Sequence, residues 1–165
     1  MLLVRQRALP RAAGVAFVAL AVVPDLMHTL PVVAWALFNG LTGDFMLYLR
    51  ALPDRAQPLP AEVELWSHHL HCVFHSGVIA LGVTAATGLW LRVFWWPLAG
   101  WWSHILIDVF THSDDFYPSP VFYPLTYWGF DGVAWNRPGF VIANYAALAV
   151  VWAWLLMTRR KRHQR

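Results

Sequence analysis

The chain has 165 residues, of which 59% are hydrophobic, 16% aromatic and 13% charged, with a formal net charge of +3. Soluble domains carry about 25% charged residues, so the composition excludes an ordinary soluble globular protein and points to a single integral membrane domain. The lone cysteine, Cys72, excludes an intramolecular disulfide, and the crowding of Arg159, Arg160, Lys161, Arg162 and Arg165 behind an apolar stretch reads as a topology anchor rather than a nucleic-acid surface.

Arg5, Arg7 and Arg11 precede an apolar run over residues 12–23. The pattern begins like a signal peptide, but Asp25 and His28 stand where a small-residue cleavage site belongs, so a retained helix is predicted over 12–30. Pro24 and Pro31 are expected to kink or end it, because proline lacks a backbone donor and restricts the residue before it. Residues 26–43 contain no Asp, Glu, Lys or Arg, yet Pro31, Asn39, Gly40 and Gly43 favour an interfacial or re-entrant piece over a second crossing. Residues 44–67, with Arg50, Asp54, Arg55, Glu62, Glu64 and prolines at 53, 58 and 60, read as a polar loop.

A second helix is predicted over 68–91, rich in the small residues that let membrane helices approach closely. Arg92 and Pro97 mark the turn into a third, over 94–112, and Trp95, Trp96, Trp101 and Trp102 are assigned to a membrane interface, where indole is favoured. Residues 113–137 form another polar loop, dense in Pro, Tyr, Phe and Asp. Residues 138–158 carry no charge and are long enough to cross a hydrocarbon core of about 30 Å, and the basic tail 159–165 follows. The predicted architecture is all-α, a polytopic membrane helix bundle with about four transmembrane helices in the lipid bilayer.

Basic residues at both ends put both termini in the cytoplasm by the positive-inside rule, which requires an even number of crossings. With four crossings, Asp25 and His28, His71 and His75, and the run from His104 to His112 all fall toward the outer face. Three separate stretches bringing ionisable residues to one depth is what a shared site needs. Asp25 and His28 are spaced i, i+3, and His71 and His75 i, i+4, so each pair shares a helix face and can chelate. The competing readings are a cap beside Pro24 for the first pair and hydrogen bonds to headgroups or backbone for the second. His104, Asp108 and His112 recur at steps of four in apolar surroundings. A carboxylate on such a face is costly unless paired. His104 and His112 lie about 12 Å apart along a helix axis, too far to share an ion if the helix is continuous. Asp108 is therefore the central ligand, placed to bridge two ions in the manner of two-metal hydrolytic sites.

The segments SHILIDVFTH (103–112) and SPVFYPL (119–125), with PDLMH (24–28) upstream and HCVFHS (71–76) between, resemble the YdjM-like family of small bacterial inner-membrane proteins described as metal-dependent hydrolases. That family is distantly similar to the zinc-dependent phospholipase C and nuclease group. The resemblance implies ligand roles for Asp25, His75, His104, Asp108 and His112, with Ser76 and Ser103 as supporting neighbours. It also implies a seat in the bacterial inner membrane. The reading that follows is hydrolysis of an ester or phosphoester of a lipid or membrane-adjacent substrate, with one or two zinc ions lowering the pKa of a bound water. Asp114 and Asp115, in the adjoining loop, are the candidate general base or a carboxylate orienting a histidine, and Asp131 is a weaker candidate. Two rival classes use the same residues: proton or metal-ion transport through the bundle, and b-type haem ligation by histidines of facing helices.

Overall fold

The computed structural model describes residues 11–41, 43, 58–114 and 118–163. Among them are five helices and no strand: α1 (Arg11–Phe38), α2 (Ala61–Phe74), α3 (Gly77–Leu91), α4 (Leu98–Thr111) and α5 (Pro138–His163). The all-α membrane architecture is therefore observed. α1 and the Pro138–Thr158 part of α5 are each long and apolar enough to cross a membrane, and α2 with α3 makes a third candidate bent by 55° at its break. α4, with 14 residues, spans about 21 Å and is shorter than the hydrocarbon thickness. Arg5, Arg7, Arg165, Asp115 and the 44–57 part of the loop predicted over 44–67 lie outside the described residues.

α1 continues unbroken through both prolines expected to kink or end it, so neither ends the helix. Pro24 is buried, and within a packed membrane bundle neighbouring helices compensate the missing donor. The helix stops instead at Asn39 and Gly40. Gly40 adopts the left-handed backbone conformation (φ 68°), and Leu41 N–H then reaches back to the Ala36 carbonyl at 2.8 Å, the αL termination that glycine makes cheap. This extension turns 31–38, expected to be re-entrant or interfacial, into helix. It also moves Asp25 and His28 from the end of α1 to its middle.

α2 begins before the predicted start, so that 61–67 is helix rather than loop. Pro60 precedes it, and Glu62 and Glu64 in its first turn suit the positive end of the helix dipole. The predicted helix over 68–91 is in fact two, because the chain breaks at His75 and Ser76. Ser76 caps α3, its Oγ accepting from Ile79 N–H at 3.1 Å. The same hydroxyl donates to the Tyr123 carbonyl. Gly77 and Val78 N–H turn to the Val121 carbonyl, and the Phe74 carbonyl accepts the Trp101 indole N–H at 2.6 Å. The Gly77 and Val78 N–H groups and the Phe74 carbonyl at the break thus find partners inside the protein, as irregular backbone at membrane depth requires.

α1 packs chiefly against α2 and α4, while α3 makes smaller contacts with α2 and α4. α4 approaches α1 closely at Gly100, where a Cβ would stand 2.1 Å from the Phe17 carbonyl oxygen. Ala80, Leu98, Trp101 and Ile105 form the apolar core, with Leu20, Phe74, Ile79 and Trp102 packed on it. Trp101 and Trp102 are therefore core residues, not interfacial ones. Their indole N–H groups bond the Phe74 carbonyl and Thr84 Oγ1 (2.9 Å), which removes the polar cost that otherwise keeps indole at an interface. Trp95 and Trp96 are exposed.

Candidate metal centre

The middle of α1, the end of α2 and the second half of α4 meet on one point. On α1, Asp25 and His28 are one turn apart, with His28 Nε2 3.6 Å from Asp25 Oδ1. Ser67 Oγ of α2 donates to the His28 carbonyl at 2.7 Å and ties the two helices together at this level. On α2, His71 and His75 stack with ring centroids 4.1 Å apart. His75 Nδ1 lies 2.9 Å from the His71 carbonyl. A carbonyl only accepts, so Nδ1 carries a proton, and Nε2 is turned toward Asp108 and His104. From α4 come His104 and Asp108, also one turn apart.

His75 Nε2, His104 Nε2 and Asp108 Oδ2 form a nearly equilateral triangle. The two nitrogens are 3.1 Å apart, and each stands 3.0 Å from the carboxylate oxygen. All three side chains are buried. Asp25 Oδ1 completes the group, 3.6 Å from His75 Nε2 and 3.7 Å from His104 Nε2. Tetrahedral coordination with ligand bonds of about 2.0 to 2.2 Å sets donors about 3.3 to 3.6 Å apart; Asp25 Oδ1 stands close to that spacing at 3.6 and 3.7 Å, and the inner three atoms, at 3.0 to 3.1 Å, stand slightly inside it. The fit also has a chemical reason. In the neutral Nδ1–H form of His75, its Nε2 lone pair would face Asp108 Oδ2, a buried oxygen 3.0 Å away. Lone pairs and carboxylate charge converging in an apolar interior are stable around a cation and costly without one. His75 and His104 are too close to be axial ligands on opposite sides of one haem iron at about 2 Å each, so the haem alternative finds no support in this pair.

Burial is uneven around the group. His75, His104 and Asp108 form its inner side, whereas the Asp25 side chain is 58% exposed and marks the side open to the surroundings. A second group of donors adjoins the first: ligand atoms of His28, His71 and His75 lie within 4.8 Å of one another.

His112 reaches the edge of the site without joining either group. It caps α4 from outside the helix, its Nδ1 3.2 Å from the Asp108 carbonyl and 3.9 Å from Asp108 Oδ1. Its ring lies 6.1 Å from that of His71. Burial lowers the His112 pKa, which favours the neutral imidazole here. Asp114 is engaged elsewhere, its backbone N–H donating to Asp131 Oδ1 at 3.0 Å, and neither carboxylate belongs to the two donor groups. Of the residues implied as supporting neighbours, Ser76 holds the break beside His75, and Ser103 Oγ bonds the Gly100 carbonyl of its own helix at 2.7 Å. Trp101, assigned from the sequence to a membrane interface, instead satisfies the Phe74 carbonyl beside His75. Its place three residues before His104, on the same face of α4, was the available signal.

No family model, no curated protein and no solved structure matches this chain.

Proposed function

We propose that the chain is a membrane-bound metal-dependent hydrolase acting on an ester or phosphoester of a lipid or membrane-adjacent substrate. The observation that carries this reading is the convergence of His75 Nε2, His104 Nε2, Asp108 Oδ2 and Asp25 Oδ1 near ligand spacing, buried on three sides and open on the fourth. His75, His104 and Asp108 would hold the ion, with zinc favoured by the mixed imidazole and carboxylate donors. A divalent ion held there would supply the Lewis acidity that activates a water and polarises the scissile group. The chain's own contribution is orientation. The His71 carbonyl fixes the His75 tautomer, the helical turn sets His104 against Asp108, and the Trp101 indole secures the backbone next to His75. The resemblance of residues 103–125 to the YdjM-like hydrolases points the same way.

The membrane setting supports a lipid substrate. Asp25 lies midway along one candidate span and His75 at the break of another, a depth at which the site would be within reach of a substrate held in the bilayer. The proposed seat is the bacterial inner membrane with both termini cytoplasmic. Two full crossings, α1 and α5, return the chain to its starting side, with the basic tail as the anchor and the bent α2–α3 pair as a re-entrant element.

The test is metal content by mass spectrometry on protein purified in mild detergent, compared with a His104→Ala, Asp108→Ala double variant. Stoichiometric zinc or manganese that disappears in the variant, together with phosphoester or lipid hydrolysis that chelation removes and zinc restores, is the expected result. Well-folded protein that takes up no zinc on reconstitution would sink the reading. A second reading, proton or metal-ion transport, draws on the break at His75 and Ser76, since interrupted helices at mid-membrane are where transporters bind ions. It predicts cation flux in liposomes without turnover of any ester.

A further inference from the structure

The turn that joins α3 to α4 takes no part in the metal centre, and the fold leaves its large side chains uncovered. Trp90 is 83% exposed, and Phe94, Trp95 and Trp96 are exposed as well. Large apolar side chains grouped on one surface mark a face that meets something other than water. The level of this face follows from α4. Gly100 meets the backbone of Phe17 and Ala21 in α1, and His104 stands beside Asp25, so the two helices run parallel. Arg11 begins α1 about 9 Å before Phe17. Trp95 and Trp96 lead into α4, their carbonyls accepting from Leu98 and Ala99 N–H, which places them about 6 to 10 Å before Gly100. The turn and the start of α1 therefore lie at one depth. α1, with 28 residues, is about 42 Å long and exceeds a hydrocarbon core of about 30 Å, so its first turn reaches the headgroups.

We infer that the α3–α4 turn docks on anionic phospholipid in the leaflet where α1 begins. The inference rests on α1 as a membrane span and is independent of the metal reading. Charge complementarity selects this occupant. Residues 11–24 and 77–103 contain no Asp or Glu, and their Lys and Arg residues are Arg11 and Arg92 alone. Neither guanidinium is paired among the described residues. Arg92 closes α3 with φ 56°, a left-handed conformation that glycine holds more cheaply, so backbone ease is given up here for a cation. A guanidinium takes phosphate oxygens two at a time, and indole and phenyl rings favour the boundary between headgroups and acyl chains. Arg92 stands between Trp90 and Phe94 in sequence, so one turn offers both contacts. Docking at this tip also accounts for two short helices in a bilayer. α3 and α4, of 15 and 14 residues, fall short of the hydrocarbon core, and lipid would pin their shared end while the packing around His75 and His104 holds the other.

The experiment is native mass spectrometry of the full chain in mild detergent, titrated with phosphatidylglycerol or with phosphatidylcholine. The first phosphatidylglycerol should bind about fivefold more tightly than phosphatidylcholine, the effect of one cation at an anionic membrane surface. Arg92→Asn removes the charge with a residue that tolerates the left-handed backbone. It should lose that fivefold, whereas Arg92→Lys should keep it. Equal affinity for the two lipids in the wild type would overturn the inference. So would a preference that Arg92→Asn leaves intact and removal of residues 159–165 abolishes, since the basic tail would then be its source. Depth is read separately in vesicles. The one native cysteine, Cys72, is buried, so Val93→Cys, at an exposed position, takes a nitrobenzoxadiazole label alone. Lipid spin-labelled at the headgroup should quench it more than lipid labelled at mid-chain. Stronger quenching from mid-chain, or from soluble iodide with neither lipid effective, would overturn the headgroup assignment. The wild-type lipid comparison decides even where a variant does not fold.

Discussion

α1 and α5 look alike as strings of apolar residues, and both pass the length and hydropathy test for a membrane span. In the fold they are opposites. α1 is packed between α2 and α4 and carries Asp25 and His28 into a polar centre, whereas no residue in the apolar span of α5 is buried. A bare helix of this kind is stabilised by lipid and tolerates no charge on its surface. α1 tolerates a carboxylate at mid-length because three other helix positions supply partners for it. Hydropathy measures the cost of leaving water. The pairing of ionisable groups across helices shows which span was built for chemistry.

The sharpest way to break this contrast is to remove the central carboxylate of the polar region. Asp108→Asn keeps the shape and loses the charge that two imidazoles face at 3.0 Å. Affinity for zinc should fall by more than about 100-fold, the upper range for ligand-orienting residues and a floor for a ligand itself. Far-UV circular dichroism should not change. Zinc titration with a chelator competitor measures both states, and an unaltered affinity would mean that the cluster is an ionic network of the fold rather than a metal site.

The converse experiment puts a charge where no partner exists. Leu148→Arg on α5, at a side chain 55% exposed near the centre of the span, should cost about 2.5 to 3.5 kcal/mol of insertion free energy. A larger fraction of protein should then be extractable from membranes by alkaline carbonate. Unchanged extraction would show that α5 has a polar neighbour, such as a second copy of the chain. Next in size is Gly100→Val. The Phe17 carbonyl stands where a Cβ would go, so α1 and α4 must separate. A loss of about 1 to 3 kcal/mol is expected, read as a lower midpoint of thermal unfolding in detergent, with the Asp25 side of the site displaced most because it rides on α1.

Much of this was legible in the sequence, and the exceptions share a cause. The all-helical class, the α5 span and the gathering of Asp25, His28, His71, His75, His104 and Asp108 follow from apolar runs and helical spacing. The course of the chain between those points did not. Pro24 and Pro31 were read by their local cost, which tertiary packing cancels in α1. The break after His75 was invisible because its stabilising partners, Val121, Tyr123 and Trp101, are distant in sequence. His112 kept the spacing of a ligand but fell one residue past the end of α4, where the chain turns extended and the imidazole meets a carbonyl. Periodicity holds while a helix lasts, and the helix ended there.

The smallest effect expected here tests whether the break is a scaffold for the site or part of it. Ser76 is fully buried, accepts from Ile79 N–H as the cap of α3, and donates to the Tyr123 carbonyl of the 118–127 segment. Ser76→Ala removes both bonds without adding bulk, and loss of a capping side chain costs about 1 kcal/mol. His75, one residue earlier, is held independently by its backbone N–H and its Nδ1, both on the His71 carbonyl. The variant should therefore unfold at a lower temperature while binding zinc as tightly as the wild type, and Ser76→Thr, which keeps the hydroxyl, should recover most of the stability. A parallel drop in zinc affinity would mean that the 55° bend itself sets the position of His75. The polar half of the molecule would then depend on the 118–127 segment as much as on the helices that carry its ligands.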